Sequence, residues 1–293
     1  MNPRFPLYIP SKGRSEFMIT SKVLTKMGVD HYIVVEPQEV QKYKDAVTKF
    51  ALRTTVIELD MSYKTKYDLC DTHGLKKSTG SGPARNFIWD HSIANGHKWH
   101  WIMDDNIREF YRLHRNLRIG VRTPVFWRMM EDFVLRYKNV AMAGPNYSMF
   151  AVGAMRDDAP PFITNTRIYS CNLIRNDVPF RWRGRYNEDT IMSLDMLKAG
   201  WCTIQFYAFL QDKLKTQLIK GGNTDELYQQ GTMDKSQMLV REHPDVAQIV
   251  FKYGRWHHFV DYGRFKQNKL IRRDDLTNEE LNPKYDLKLL KLK

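Results

Sequence analysis

Trp99-His100-Trp101-Ile102-Met103-Asp104-Asp105-Asn106 is the stretch that decides how this chain folds and where its chemistry sits. The apolar run reads as a buried strand, with two adjacent carboxylates at its C-terminal end. Unpaired charge in such a place is costly unless a cation or hydrogen bonds compensate it. Hard oxygen ligands there suit Mg²⁺ or Mn²⁺, which in turn can hold a diphosphate. The competing reading is a strand end whose Asp residues only cap the following turn. The surrounding sequence decides between the two.

Upstream, Phe5-Pro6-Leu7-Tyr8-Ile9-Pro10 reads as a first strand and Ser11-Lys12-Gly13-Arg14 as the loop leaving it. Ser15 caps an expected helix with Phe17, Met18, Val23, Leu24 and Met27 on its apolar face. Tyr32 to Val35 is a β-branched strand, followed by a helix from Glu39 to Phe50 and a strand from Thr54 to Leu59. Strands alternating with helices in this way indicate right-handed crossovers in a mostly parallel sheet. Ligands of such sheets bind at the carboxyl ends of the strands, where Ser11 to Arg14, Glu36 and Asp104-Asp105 would all sit.

Downstream, the pattern predicts a helix over 124–139, strands over 140–143 and 168–174, a helix through Lys198 and a strand from Trp201 to Phe209. Beyond about residue 213 the chain is more polar. It reads as a core over 1–212 and an extension over 213–293.

With 42% hydrophobic residues in 293, the chain can bury a substantial core. No apolar run approaches the roughly 18 residues that span a bilayer. The first residues, Met-Asn-Pro-Arg-Phe-Pro, lack a signal-peptide core, so a cytoplasmic protein is expected. Cys70, Cys171 and Cys202 have no zinc spacing and read as small buried hydrophobes of a reducing compartment. A formal net charge of +13 favours a polyanionic partner, of which nucleic acid is the usual one.

Two further motifs carry chemistry. Gly80-Ser81-Gly82-Pro83-Ala84-Arg85-Asn86 places free backbone N–H groups at a helix start, where anions bind. Arg85 in that first turn opposes the helix dipole, which is easier to understand beside an anion. A glycine-rich surface loop with a solvated Arg is the alternative. Asn187-Glu188-Asp189-Thr190 precedes an amphipathic helix. Acids there satisfy ordinary capping and dipole preferences, but a carboxylate near an acceptor hydroxyl is also what a general base requires. One acidic pair for a metal and another for a proton make a complete transfer site.

Four motifs in this order resemble the GT-A glycosyltransferases over residues 5 to 212: Tyr8 to Arg14, Gly82 to Asn86, Trp101 to Asn106 and Tyr186 to Thr190. More narrowly, the combination resembles the TET-associated glycosyltransferases, found mainly in bacteriophages. The resemblance implies an α/β GT-A fold, Rossmann-like, with a mixed, mostly parallel sheet flanked by helices and a C-terminal extension. It implies transfer of sugar from a UDP-sugar to a 5-hydroxymethylpyrimidine (5hmC or 5hmU) in phage DNA, in the cytoplasm of an infected bacterial host.

Carried over by residue, Asp105 is the expected metal ligand, while Asp104 contacts the ribose or donor sugar. The sequence reads Asp-Asp-Asn rather than Asp-x-Asp, so the ligand moves by one position if Asn106 aligns with the last acid. Ser11, Arg14 and Arg85 are expected on the nucleotide. Asp189 is the expected base of an inverting reaction, with Glu188 its competitor.

His257 or His258 would complete a Mn²⁺ shell, although packed or surface histidines fit the same sequence; Mg²⁺ is the other candidate ion. Lys213, Lys215 and Lys220-Gly221-Gly222-Asn223 suit a loop closing over the diphosphate, or a basic surface turn. Phe180-Arg181-Trp182-Arg183-Gly184-Arg185-Tyr186 suits phosphate contact and base stacking on DNA, or a solvated strand edge. The terminal Tyr285 to Lys293 is a packed or frayed element, or a basic tail on DNA.

The rival functions are a protein or glycan acceptor, a sugar nucleotidyltransferase, and a non-catalytic DNA-binding module.

Overall fold

The computed structural model describes residues 1–151, 160–214, 233–252 and 254–285. Strand β1 (Leu7–Pro10) is followed by helix α1 (Ile19–Lys26), β2 (His31–Val35), α2 (Val40–Lys49) and β3 (Thr54–Glu58). Helices α3 (Ser62–Lys66) and α4 (Gly82–Ala94) then lead to β4 (Trp99–Met103). A hairpin of β5 (Ile107–His114) and β6 (Leu117–Gly120) precedes α5 (Val125–Val134) and β7 (Val140–Tyr147). Next come α6 (Ser148–Ala151), β8 (Phe162–Thr164), β9 (Cys171–Arg175), α7 (Glu188–Lys198) and β10 (Cys202–Lys213). The last elements that concern the site are α8 (Met233–Glu242) and a ribbon of β11 (Ala247–Lys252) and β12 (Arg255–Val260).

One sheet runs in the order β3-β2-β1-β4-β9-β7-β10-β5-β6, with β8 also on β10. The pairings give β1 to β4, β6, β7 and β10 one direction and β5, β8 and β9 the other. The sheet is therefore mixed and mostly parallel, as expected, and helices cover both faces.

Strand alternation explains this layering. Trp101 and Met103 point to one face, with Leu24 of α1, Tyr43 of α2 and Trp127 of α5. Ile102 points to the other face, with Ile88 and Trp89 of α4 and Met192 of α7. All five β4 residues are buried, the pattern of a strand covered on both sides.

The structure departs from the sequence reading in places that shape the site. Helix α1 begins at Ile19, not at the expected cap Ser15, and Met18 adopts a left-handed conformation with φ 45°. The loop before it is drawn inward: the Arg14 backbone N–H donates to the Tyr43 hydroxyl at 3.0 Å. The β5–β6 hairpin was not foreseen. Its turn is made by Arg115 and Asn116, both with positive φ.

The C-terminal elements pack on the core through Leu239, Val246, Ala247 and Phe265, which meet Ile191, Leu194 and Leu197 of α7. Among the described residues, no helix is long and apolar enough to cross a membrane.

Candidate active site

The carboxyl ends of β1, β2 and β4 open onto a cleft of about 680 Å³, which the start of α7 and the β11–β12 ribbon also line. All nine residues singled out from the sequence line it: Ser11, Arg14, Arg85, Asp104, Asp105, Glu188, Asp189, His257 and His258. They come from five separate chain segments, so the fold, not sequence proximity, assembles them.

Asp104 and Asp105 leave β4 in opposite directions. Asp105 accepts from the Ser11 hydroxyl at 2.6 Å and from Arg14 Nη1 at 2.5 Å. Ser11 also meets the Tyr43 hydroxyl at 2.8 Å, so α2 braces the β1 loop. Burial raises the Asp105 carboxyl pKa more than the Arg14 charge and the Ser11 hydrogen bond lower it. Asp104 accepts from Arg85 Nη2 at 2.8 Å and from Lys213 Nζ at 2.5 Å. Burial also pushes this carboxyl upward, but the Lys213 and Arg85 charges prevail and hold its pKa at about 2. Asn106 donates to the Leu214 carbonyl at 2.9 Å and so ties β4 to the end of β10.

Arg85 links the two acidic pairs. Its guanidinium reaches Asp104, receives support from Ser81 Oγ at 3.0 Å through Nε, and lies 3.9 Å from Glu188. It stacks 4.8 Å from the centre of the Trp182 ring. The side chain is only 3% exposed, yet among the described residues its Nη1 has no hydrogen-bond partner. A buried donor left unsatisfied is costly, and a bound anion would satisfy it. Local sequence places Arg85 there because Gly82 lets Tyr67 cross the helix start: a Cβ at Gly82 would lie 1.9 Å from the Tyr67 hydroxyl oxygen. That hydroxyl donates to the Gly184 carbonyl at 2.8 Å.

Glu188 and Asp189 occupy the first turn of α7, after Asn187 in a left-handed conformation. Ser81 Oγ donates to Glu188 at 3.2 Å. Burial and then the neighbouring Asp189 charge raise the Glu188 pKa, against the pull of Arg85. Lys235 of α8 faces the same pair, and burial depresses its pKa despite both acids. His258 is held neutral, with a pKa of about 4, by burial and by the Lys235 and Arg167 charges. The Asp189 charge opposes that shift, which puts His258 on the base side of the cleft.

Lys12, Arg14, Lys64, Arg85, Arg167, Lys213 and Lys235 set seven cationic side chains against five carboxylates in the cleft lining. The surplus suits an anion of about two charges, such as a diphosphate.

Arg167 and Lys235 were missed in the sequence because neither stands in a motif. Lys213 was expected in a closing loop, and it is instead the last residue of β10, fixed on Asp104. The rest of that loop, from Lys215 to Asn223, lies outside the described residues, as does 286–293.

Most of the segment 180–186 is turned inward, with Arg181 exposed. Trp182 is 1% exposed. Arg185 pairs with Asp71 at 2.6 Å, and Arg183 with Asp195 at 2.9 Å and Glu242 at 2.5 Å. These arginines clasp the loop around 71–78 and helix α8 to the core, so their charge is spent internally.

Among the described residues, no three His, Cys, Asp or Glu side chains form a ready metal cage. Mg²⁺-type sites seldom need one, since one or two carboxylates plus substrate phosphates suffice. Asp104 and Asp105 are donors of that class and line the cleft with His257 and His258, but each of their carboxylate oxygens already accepts from Ser11, Arg14, Arg85 or Lys213.

No curated protein matches the chain. The family model for TET-Associated Glycosyltransferase matches residues 5–222, a stretch that includes both acidic pairs, Arg85 and Lys213. A mostly parallel α/β sheet with these groups at its carboxyl edge agrees with that match, and the chain belongs to the TET-Associated Glycosyltransferase family.

Proposed function

We propose that this glycosyltransferase moves a sugar from a UDP-sugar to the hydroxyl of a 5-hydroxymethylpyrimidine in phage DNA, with inversion, inside an infected bacterium. The observation that carries the reading is Arg85: a buried guanidinium between two acidic pairs, with one donor unspent. The geometry supports donor phosphates on the Asp104 side and the acceptor on the Asp189 side. The family name supports sugar transfer, and the resemblance of the motifs supports the modified pyrimidine.

In this reading, Arg85, Arg14 and Lys213 hold the phosphates, while Ser11 fixes the loop that carries Arg14. Asp189 accepts the proton of the acceptor hydroxyl as its oxygen bonds to the anomeric carbon. The bond from that carbon to the diphosphate oxygen breaks, and UDP leaves with the electron pair. Glu188, raised by burial and by Asp189, stays protonated to higher pH than an ordinary Glu and serves as the partner acid. Lys235 and the neutral His258 keep Asp189 oriented toward the acceptor. Mn²⁺ or Mg²⁺ on Asp105, with Asp104 beside it, would supply charge stabilisation to the departing diphosphate.

UDP release from UDP-glucose and UDP-N-acetylglucosamine, measured with Mn²⁺, tests the acceptor. DNA containing 5hmC or 5hmU should stimulate release strongly over the same DNA with unmodified bases. Equal release with both would remove this acceptor. Stimulation only by protein or glycan would establish the alternative acceptor.

A further inference from the structure

The β11–β12 ribbon presents large exposed aromatics beside the cleft. Phe251 is 60% exposed, Trp256 45% and Phe259 44%. Phe251 and Trp256 are directly opposite in the antiparallel register, so their rings share a face. Their centroids lie 5.0 Å apart with the planes at 68°. Two residues beyond Trp256, His258 is on that same face and lines the cleft. The face thus leads from the Asp189 side of the cleft outward to an aromatic pair.

The charge of the ribbon narrows what it meets. From Ala247 to Val260 the sequence holds Lys252 and Arg255 and no Asp or Glu. Lys252 Nζ stands 6.0 Å from the Phe259 ring centre on the opposite face. The foot of the ribbon is fixed, with Ala247 buried against the core that holds Leu239 and Phe265. An acid-free strand pair with exposed rings suits a polyanion carrying flat bases.

We infer that this ribbon is the platform for the acceptor nucleic acid, with the Phe251–Trp256 pair stacking on a base next to the target nucleotide. The inference rests on the DNA-acceptor reading and adds where the strand lies. A hydroxymethyl group on a stacked pyrimidine cannot reach Asp189 until the nucleotide leaves the helix. Unstacking exposes a neighbouring base, and the aromatic pair replaces the lost contact. Lys252 meets the adjoining phosphate.

The test is fluorescence anisotropy with a labelled single-stranded oligonucleotide containing one 5-hydroxymethylcytosine, alongside UDP titration of the same proteins. Phe251→Ala and Trp256→Ala should each weaken DNA binding about tenfold or more, since base stacking on aromatics is a major part of such affinity. Phe251→Tyr should restore it, and Phe251→Ala should leave UDP affinity unchanged. Lys252→Ala should reduce the salt slope by about 0.7, the value for one phosphate contact on a single strand. Both sites are exposed, so melting curves should stay close to the parent.

Wild-type DNA affinity in both alanine variants, with the parent binding and modifying DNA, would overturn the ribbon assignment and leave the function standing. Loss of self-association at unchanged DNA affinity would overturn it too, in favour of an interface between copies. A parent protein that binds UDP but no DNA would remove the acceptor reading, and the ribbon with it.

Discussion

Replacing Arg85 by Met tests the donor site because it removes the charge and keeps most of the side-chain length. Nη1 is buried with no partner among the described residues, so a donor phosphate oxygen is its expected acceptor. A hydrogen bond to a charged group contributes roughly 1.5–3 kcal/mol, which corresponds to about 10- to 150-fold in affinity. The variant also leaves Asp104 with Lys213 alone. Breaking a fully buried pair costs about 3–5 kcal/mol, but this carboxylate is 22% exposed and keeps its second cation. A stability loss of about 1–2 kcal/mol is therefore expected, including the lost stacking on Trp182. Isothermal titration with UDP, after circular dichroism has shown a cooperative melt, reads the effect. A folded variant that binds UDP within about twofold of the parent would refute the phosphate assignment.

Other substitutions separate the remaining roles. Asp105→Ala should abolish the Mn²⁺-dependent part of donor binding, and tight Mn²⁺-dependent binding by that variant would remove the ligand assignment. Asp189→Asn should keep UDP-sugar affinity while transfer falls about 10²- to 10⁴-fold; full transfer would move the base to Glu188. Glu131 lies outside the cleft, where it accepts from the Arg4 backbone at 2.7 Å and Trp101 Nε1 at 2.8 Å. Burial dominates those bonds and raises its pKa from 4.5 to about 7. The folded state therefore binds more protons than the unfolded state between those values, and stability falls as pH rises through that window. The loss is on the order of 3 kcal/mol and is complete above about pH 7. Glu131→Gln should flatten this dependence in denaturant titrations from pH 4 to 8, whereas an unchanged slope would contradict it.

The alternation of strands and helices over the first hundred residues was legible because each element repeats its own apolar period. Asp104, Asp105, Arg85 and the Glu188–Asp189 pair were legible because charge at an element end needs a reason. Lys213 was harder: nothing in a lysine shows that its ammonium will meet a carboxylate 109 residues away. The segment 180–186 misled for the converse reason. Alternating Arg and aromatic residues look alike on a surface and in an internal clasp, and only Asp71, Asp195 and Glu242 distinguish them here. The aromatic ribbon carries the same residue types and has no acid within Ala247–Val260. Composition is shared between these two segments; exposure separates them, Trp182 being buried and Phe251 and Trp256 open.

The most direct measurement is the mass of nucleosides digested from DNA containing 5hmC or 5hmU after incubation with the protein, Mn²⁺ and a panel of UDP-sugars. A hexose or N-acetylhexosamine increment is expected on the hydroxymethylated base alone, absent from the Asp189→Asn reaction. Unmodified nucleosides, in the presence of a protein that binds both UDP-sugar and the DNA, would contradict it.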